Sequence, residues 1–122
     1  MHKLIWESEG VYWKYHGDVT GKEVIDASVS IYSDSRFDEI SYKLVDFSDV
    51  VTIQMDANEI ATVACMHKAA ALSNPYIKTA IIINDVKNQR AKYFTSFFKG
   101  SNWEVEIFED LSKAYDWVER ND

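Results

Sequence analysis

Aromatic and β-branched residues dominate two short runs near the start of the chain, over residues 4–8 and 11–16. A Glu9-Gly10 turn separates the two runs, and this arrangement is typical of a β-hairpin. Glycine and aspartate favour turns, so Gly17-Asp18 is expected to end the hairpin.

Two helices are predicted in the first half of the chain. Thr20-Gly21-Lys22-Glu23 is a capping box, because the threonine hydroxyl can accept from the glutamate amide while the carboxylate reaches back. The helix that follows has one apolar face and ends near residues 33–35. Asp56 precedes the second helix, predicted over residues 57–72, and Pro75 prevents its continuation.

Two further helices are predicted in the second half. Asp85 is the predicted N-cap of the third helix, which ends at Gly100, a residue suited to a left-handed cap. The apolar face of this helix is formed by Ala91, Phe94, Phe97 and Phe98. Asp110 is the predicted N-cap of the last helix.

Three more strands lie between these helices. Residues 40–47 are predicted as a strand, and residues 78–83 form an apolar, β-branched run that suits a central parallel strand. Residues 103–107 alternate strictly between apolar and polar, as expected for an edge strand. The order β-β-α-β-α-β-α-β-α predicts an α/β fold with a single mixed, mostly parallel five-stranded sheet and four helices. One domain is expected over residues 1–122, with only the first strand antiparallel.

Composition excludes several classes of function. Twenty acidic residues against 13 basic ones give a formal net charge of −7, which opposes binding to nucleic acid. Cys65 is the only cysteine, so no intrachain disulfide can form, and a reducing, cytoplasmic location is expected. No apolar run approaches the roughly 20 residues that span a bilayer, so no transmembrane segment is predicted.

Nothing in the sequence has the spacing of a metal or cofactor site. His2, His16 and Asp18 match no zinc pattern, and solvated side chains explain them. With only four glycines, the chain has no glycine-rich loop for a nucleotide phosphate. No metal and no cofactor are therefore predicted.

Four short sequence segments lie at the starts or ends of these predicted elements. They are Gly10-Val11 at the start of a strand, residues 17–20 before the first helix, residues 44–47 closing the third strand, and residues 108–118 at the end. Together with the element order, they resemble the bacterial, stand-alone SpoIIAA-like branch of the STAS domains, over the whole chain. The resemblance implies a regulatory module that acts by binding and not by catalysis.

The start of the second helix departs from that family. Anti-sigma-factor antagonists of this fold carry a segment resembling Met-Asp-Ser-Ser-Gly, in which a serine is phosphorylated to break partner binding. The matching stretch here is Met55-Asp56-Ala57-Asn58, followed by Glu59. Neither serine position has a hydroxyl, so a phosphorylation switch is not expected there. A helix N-terminus that could dock a partner or an anion remains.

His67 lies near the centre of the apolar face of the second helix. Its ring nitrogens could be satisfied inside the core or could face a ligand. Cys65 lies about 160° away around the helix, so the two side chains cannot form a nucleophile and base pair. An enzyme that uses His67 with Asp46 or Asp56 is a further class to be tested.

The hairpin has more apolar side chains than one buried face needs. Alternation places Trp13 and Tyr15 on an inner face and leaves Ile5 and Tyr12 on an outer face that is too apolar for simple solvation. Either helices cover both faces, or the outer face meets another subunit or a ligand. Ile5, Tyr12 and Trp13 are therefore the interface candidates, and a homodimer is expected.

The predicted function is a non-enzymatic binding or regulatory module that contacts a protein partner or a second copy of itself. The contacts are expected around the hairpin and the loop over residues 47–58. Candidate binding residues are Phe47, Ser48, Asp56, Ala57, Asn58 and His67. The alternative is a carrier of a small apolar or lipid-like ligand, in a pocket between the sheet and the third helix near His67.

Overall fold

The β-rich runs of the sequence form five strands in the computed structural model, which describes residues 1–85, 88–100 and 103–119. The strands are β1 (His2–Trp6), β2 (Gly10–Thr20), β3 (Tyr42–Gln54), β4 (Lys78–Ile82) and β5 (Glu104–Phe108). They join into one sheet in that order. β1 is antiparallel to β2, and each other neighbouring pair is parallel.

Helices connect the parallel strands and follow the last one. The α-helices of the described residues are α1 (Gly21–Tyr32), α2 (Ala57–Ala70), α3 (Gln89–Ser96) and α4 (Leu111–Val118), with a short 3-10 helix at Ser35–Glu39. The predicted α/β fold, its element order and its mixed, mostly parallel sheet are confirmed. No helix in the described ranges combines the length and the apolarity needed to cross a membrane.

Helices cover both faces of the sheet, so the central strands contribute to two cores. On one face, side chains such as Trp13 and Val45 pack under α1 and α2, together with Phe98 beyond the end of α3. On the other face, Leu44 and Ala80 pack under α4. Successive side chains of a strand point to opposite faces, so this division follows from the alternation along β2, β3 and β4.

Two strands are longer than predicted. Gly17-Asp18 does not end β2, because Gly17 adopts a positive φ of 68° and the strand passes through two register shifts without leaving the sheet. β3 likewise continues past Phe47 as far as Gln54, paired in parallel with the end of β2. The predicted loop over residues 47–58 is therefore mostly a strand, and this extension forms one wall of the cavity described below.

The predicted caps of three helices are confirmed. Thr20, Asp56 and Asp110 have extended backbone conformations, and their side chains accept from amides in the first turns of α1, α2 and α4. The reciprocal half of the Thr20 capping box is absent, because the Glu23 carboxylate instead contacts the Met1 amino group and His2 Nδ1, both at 2.9 Å. A charged donor therefore outcompetes the backbone amide for Glu23.

Thr20→Ala is expected to lower the free energy of unfolding by about 1 kcal/mol, because the Glu23 amide loses its acceptor at 3.2 Å. Urea unfolding followed by circular dichroism measures this change. Thr62→Ala is the matched control, since Thr62 lies within α2 and its hydroxyl only bonds back to the Asn58 carbonyl. An unchanged midpoint for Thr20→Ala would contradict the cap.

The third helix begins later than predicted. Its N-cap is Asn88, whose side chain accepts from the Ala91 amide, and not Asp85. Asp85 lies before the helix, and its carbonyl accepts from the Asn88 amide. The helix ends at Ser96 and Phe97 is its C-cap, while Gly100 has the predicted left-handed conformation at φ 79°. α2 ends at Ala70, two residues before the predicted end.

Candidate functional site

A cavity of about 310 Å³ lies between the sheet and the helices α1, α2 and α3. It sits toward the carboxyl ends of β2, β3 and β4, where parallel α/β sheets commonly bind ligands. Most of its wall is apolar. The main apolar contributors are Val45, Phe47, Ile60, Val63, Ile81 and Phe94.

The long β3 strand explains one wall of this cavity. Beyond Phe47, the strand has only β2 as a neighbour, since the pairing with β4 stops at Asp46. Val50 and Ile53 on this extension, with Met55 just after it, line the cavity. The exposed lining residues, which mark its outer end, are Val51, Asn84, Asp85 and Arg90.

Three buried polar atoms that have no hydrogen-bond partner among the described residues belong to side chains that line this cavity. They are Trp13 Nε1, Tyr15 Oη and Thr79 Oγ1. Burial raises the pKa of Tyr15, and the charge of Glu23 raises it further. The Trp13 indole lies close enough to oppose this rise, but Trp13 Nε1 and Tyr15 Oη do not meet hydrogen-bond geometry. Buried polar groups normally have hydrogen-bond partners, so three unpaired groups around one cavity indicate a place where a polar group of a ligand can bind.

A buried polar cluster adjoins the inner end of the cavity. Lys43 is fully buried, and its Nζ lies 2.6 Å from the Tyr32 hydroxyl and 2.8 Å from His67 Nδ1. The same Nζ lies 4.4 Å from the centre of the Trp103 ring. His67 is 3% exposed and lines the cavity, and its ring stacks parallel to Trp13 at 6.5 Å. The histidine therefore separates the lysine from the cavity.

Burial controls the protonation of this cluster. It lowers the pKa of Lys43 well below the usual lysine value, because desolvation disfavours the ammonium. Burial also lowers the pKa of His67, and the neighbouring Lys43 lowers it further. Burial raises the pKa of Tyr32, so its hydroxyl stays protonated. Lys43 and His67 therefore bind protons only weakly when no negative charge is near them.

The predicted binding residues on β3 and α2 lie partly in this cavity. Phe47 lines it and stacks on Tyr15, with ring centres 5.0 Å apart. His67 is buried in the core and also lines the cavity, and its role toward a ligand stays a prediction. Ser48 lies within β3 and not in the predicted loop, and its amide donates to Asp46.

The predicted docking residues at the start of α2 lie outside the cavity wall. Ala57 and Asn58 are exposed at the helix N-terminus. Asp56 forms a complete capping box with Glu59, in which each carboxylate accepts from the other residue's amide. This box already satisfies part of the helix N-terminus that was expected to receive a partner.

Two of the three interface candidates are not on an exposed face. Trp13 is 1% exposed in the core, and Tyr12 lies under α4, where its ring stacks on Tyr115 at 6.4 Å. The Tyr12 hydroxyl donates to Asp46 at 2.5 Å. Helices thus cover both sides of β2, as in one of the two arrangements that the sequence allows, but not the outer side of β1. Ile5 remains 42% exposed on the edge strand β1.

The acid-base groups considered for an enzyme are kept apart. Asp46 points to the α4 side of the sheet, whereas His67 packs on the opposite side. Asp56 lies eleven positions before His67, about 16 Å along the α2 axis. Cys65 is exposed, while His67 is buried. The structure therefore brings none of these groups together with His67.

Lys43, Tyr15, Thr79 and Arg90 were missed as site residues by sequence reasoning. One signal was present for Lys43, since a central parallel strand is buried on both faces and leaves no solvated position for a lysine. The other three become site residues only through packing, because their neighbours in the cavity are distant in sequence.

No protein-family model matches this chain, and no curated protein matches its sequence. Solved structures nevertheless define its class, an α/β protein with the SpoIIAA-like fold. The anti-sigma factor antagonist SpoIIAA in its unphosphorylated form has a TM-score of 0.63 at 10% identity, with 97% of each chain covered.

Two further solved structures support the same fold. An anti-sigma factor antagonist from Mycobacterium paratuberculosis has a TM-score of 0.66 at 11% identity, over 98% of this chain and 94% of that one. An uncharacterized protein with a SpoIIAA-like fold from Shewanella loihica has a TM-score of 0.54 at 16% identity, over 97% and 92%. The resemblance drawn from the sequence is confirmed at the level of the fold.

Proposed function

We propose that this protein is a binding module that holds a small, mostly apolar ligand in the cavity between its sheet and helices. The observation that carries the proposal is the coincidence of three unpaired buried polar atoms, on Trp13, Tyr15 and Thr79, with one apolar cavity. Its volume of about 310 Å³ lies in the range of small-molecule sites. A ligand with one polar end would complete the missing hydrogen bonds.

The proposal is tested with the neutral fluorophore N-phenyl-1-naphthylamine, whose emission rises in an apolar site. We expect wild type to bind it and Val63→Phe to bind it at least about tenfold more weakly, because Val63 lines the cavity and a larger ring occupies that space. Val29→Phe is the matched control on the exposed side of α1, and its affinity should stay within about twofold of wild type.

The control and a second measurement make the result decisive. Circular dichroism establishes that both variants are folded, so a loss of binding reports the cavity. Native mass spectrometry of gently purified wild type should also show a retained small molecule that Val63→Phe lacks. Equal binding by wild type and Val63→Phe would place the probe elsewhere and contradict the proposal.

Protein contact is the second candidate function, and the exposed end of β3 favours it. Val51 is 78% exposed on the β3 extension, which does not pair with β4 beyond Asp46. Ala57 and Asn58 are exposed at the start of α2. Solved anti-sigma factor antagonists share the fold. Because Val51 also lines the cavity, a bound ligand could alter this surface. A cytoplasmic location stays a prediction. A homodimer also stays a prediction, and of its three interface candidates Ile5 is the one that is exposed.

A further inference from the structure

Lys43 is a buried amine that lacks a negatively charged partner. Its Nζ contacts the Tyr32 hydroxyl, His67 Nδ1 and the Trp103 ring, and it forms no ion pair with any residue that the structure describes. The nearest strand carboxylate in sequence, Asp46, lies on the opposite face of the sheet with Tyr12. Burying a cation without a counter-charge is costly, so something negative must offset the charge whenever Lys43 is protonated.

The cluster presents a hydrogen-bond donor toward the cavity. A protonated lysine can only donate, so whenever Lys43 carries its charge His67 Nδ1 is the acceptor and the ring proton lies on Nε2. Nε2 has no hydrogen-bond partner within the described residues, and His67 lines the cavity whereas Lys43 does not. The free side of the imidazole is thus available to a ligand.

The other unpaired polar groups of the cavity can also donate hydrogen bonds. Trp13 Nε1–H can only donate, and the hydroxyls of Tyr15 and Thr79 can each donate. Among the described lining residues, Asp85 is the only carboxylate, and it is exposed at the outer end. An apolar cavity with several donors, a cation behind them and no interior acid is complementary to an anionic acceptor.

We infer that the cavity accepts an apolar monocarboxylate, with its carboxylate directed inward toward His67 and Trp13 and its charge balanced by Lys43. This inference rests on the proposed binding function and names the chemical class of the ligand. The apolar part of the ligand then lies along the β3 extension and α3, toward the outer end near Arg90.

The surroundings of the cluster predict that a proton accompanies the carboxylate. Tyr32 on α1 contacts both Lys43 and His67, and Tyr15 on β2 lines the same cavity as His67. Burial raises the pKa of both tyrosines, so neither supplies charge. The remaining close neighbours are the uncharged rings of Trp13, Phe94, Phe98 and Trp103. Burial lowers the pKa of Lys43 and His67 in the empty protein, so an entering carboxylate favours protonation of the pair from solvent.

The test compares decanoic acid with decanamide as competitors for N-phenyl-1-naphthylamine at pH 8. We expect wild type to bind the acid at least about tenfold more tightly than the amide. Lys43→Met should lose that preference while keeping its affinity for the amide. Calorimetry in two buffers of different ionisation enthalpy should show uptake of about one proton per acid bound by wild type, and none per amide.

Two controls locate the charge that matters. Lys78→Met removes a second strand lysine whose Nζ also lies over an indole, that of Trp117, but on the α4 side, so the acid preference should remain. Arg90→Gln removes the guanidinium at the outer end, and it should also leave the preference intact. If Arg90→Gln abolishes the preference and Lys43→Met does not, the carboxylate lies at the outer end and the inference is wrong.

The remaining outcomes separate this inference from the proposed function. If the fluorophore binds wild type but the acid displaces it no better than the amide, the cavity takes neutral ligands and the inference is overturned while the proposed function stands. If neither the fluorophore nor any competitor binds, both fail together.

Discussion

Replacing Lys43 with methionine is expected to raise the free energy of unfolding by about 2 kcal/mol at pH 7, because it removes a buried amine that no carboxylate of the described residues neutralises. Methionine is flexible enough to fill the space left by the lysine stem. Urea unfolding followed by tryptophan fluorescence measures the change. Lys78→Met is the control, and its effect should stay within about 0.5 kcal/mol because Lys78 is only partly buried.

The pH dependence of this difference identifies its cause. Burial lowers the pKa of Lys43 in the folded protein below its unfolded value of about 10.4. Between those two values the unfolded chain binds more protons than the folded chain, so wild-type stability rises with pH through that window. The advantage of Lys43→Met should therefore shrink between pH 7 and about pH 9.5. A Lys43→Met protein less stable than wild type at pH 7 would contradict the unpaired-cation interpretation.

The buried amine of Lys43 also links the stability of the protein to ligand binding. An amine that destabilises the empty protein becomes favourable once a carboxylate lies close to it, so decanoic acid should stabilise wild type more than Lys43→Met. Buried His67 destabilises the folded protein at acid pH. Burial lowers its pKa below the unfolded value of about 6.5, so below that pH the unfolded chain binds more protons than the folded chain. Stability is thus expected to fall as the pH drops through about 6.5 in both proteins.

Most of the fold could be predicted from local signals in the sequence. The order of elements follows from runs with strand or helix periodicity, and the starts of α1, α2 and α4 follow from Thr20, Asp56 and Asp110, whose side chains cap amides only a few positions away. The lengths of β2 and β3 could not be predicted in this way. Gly17 forms a bulge inside a strand, and the same residue type usually ends one.

The candidate site was less accessible to sequence reasoning, because its residues meet only in the folded chain. His67 was identified from its place on the apolar face of α2, and Phe47 because it begins the expected contact loop over residues 47–58. His67 is buried, as that apolar face predicts. Lys43 was missed because one lysine in a strand normally points to solvent. The central position of the strand was the one signal for its burial, whereas the partners of Lys43 depend on the packing of α1 and α2 on that face, which no local pattern specifies.

Asp46→Ala is expected to lower the free energy of unfolding by about 3 kcal/mol, because it removes a buried carboxylate and leaves two partly buried donors without an acceptor. The Asp46 carboxylate is 2% exposed and accepts from the Tyr12 hydroxyl at 2.5 Å and from the Ser48 amide at 2.8 Å. Asp49→Ala is a matched control three positions along the same strand. Asp49 is 58% exposed and pairs with Lys14 at the surface, so its loss should cost less than about 1 kcal/mol.

Spectroscopic titration of the tyrosines shows whether the Tyr12 contact causes this loss. Burial raises the pKa of Tyr12, and its hydrogen bond to Asp46 raises it further, so Asp46→Asn should lower that pKa while keeping an acceptor in place. Absorbance near 295 nm follows the ionisation of the hydroxyl. Equal destabilisation by Asp46→Ala and Asp49→Ala would mean that α4 does not bury Tyr12. The outer face of the hairpin, with Ile5 and Tyr12, would then again be a candidate interface between two copies of the chain.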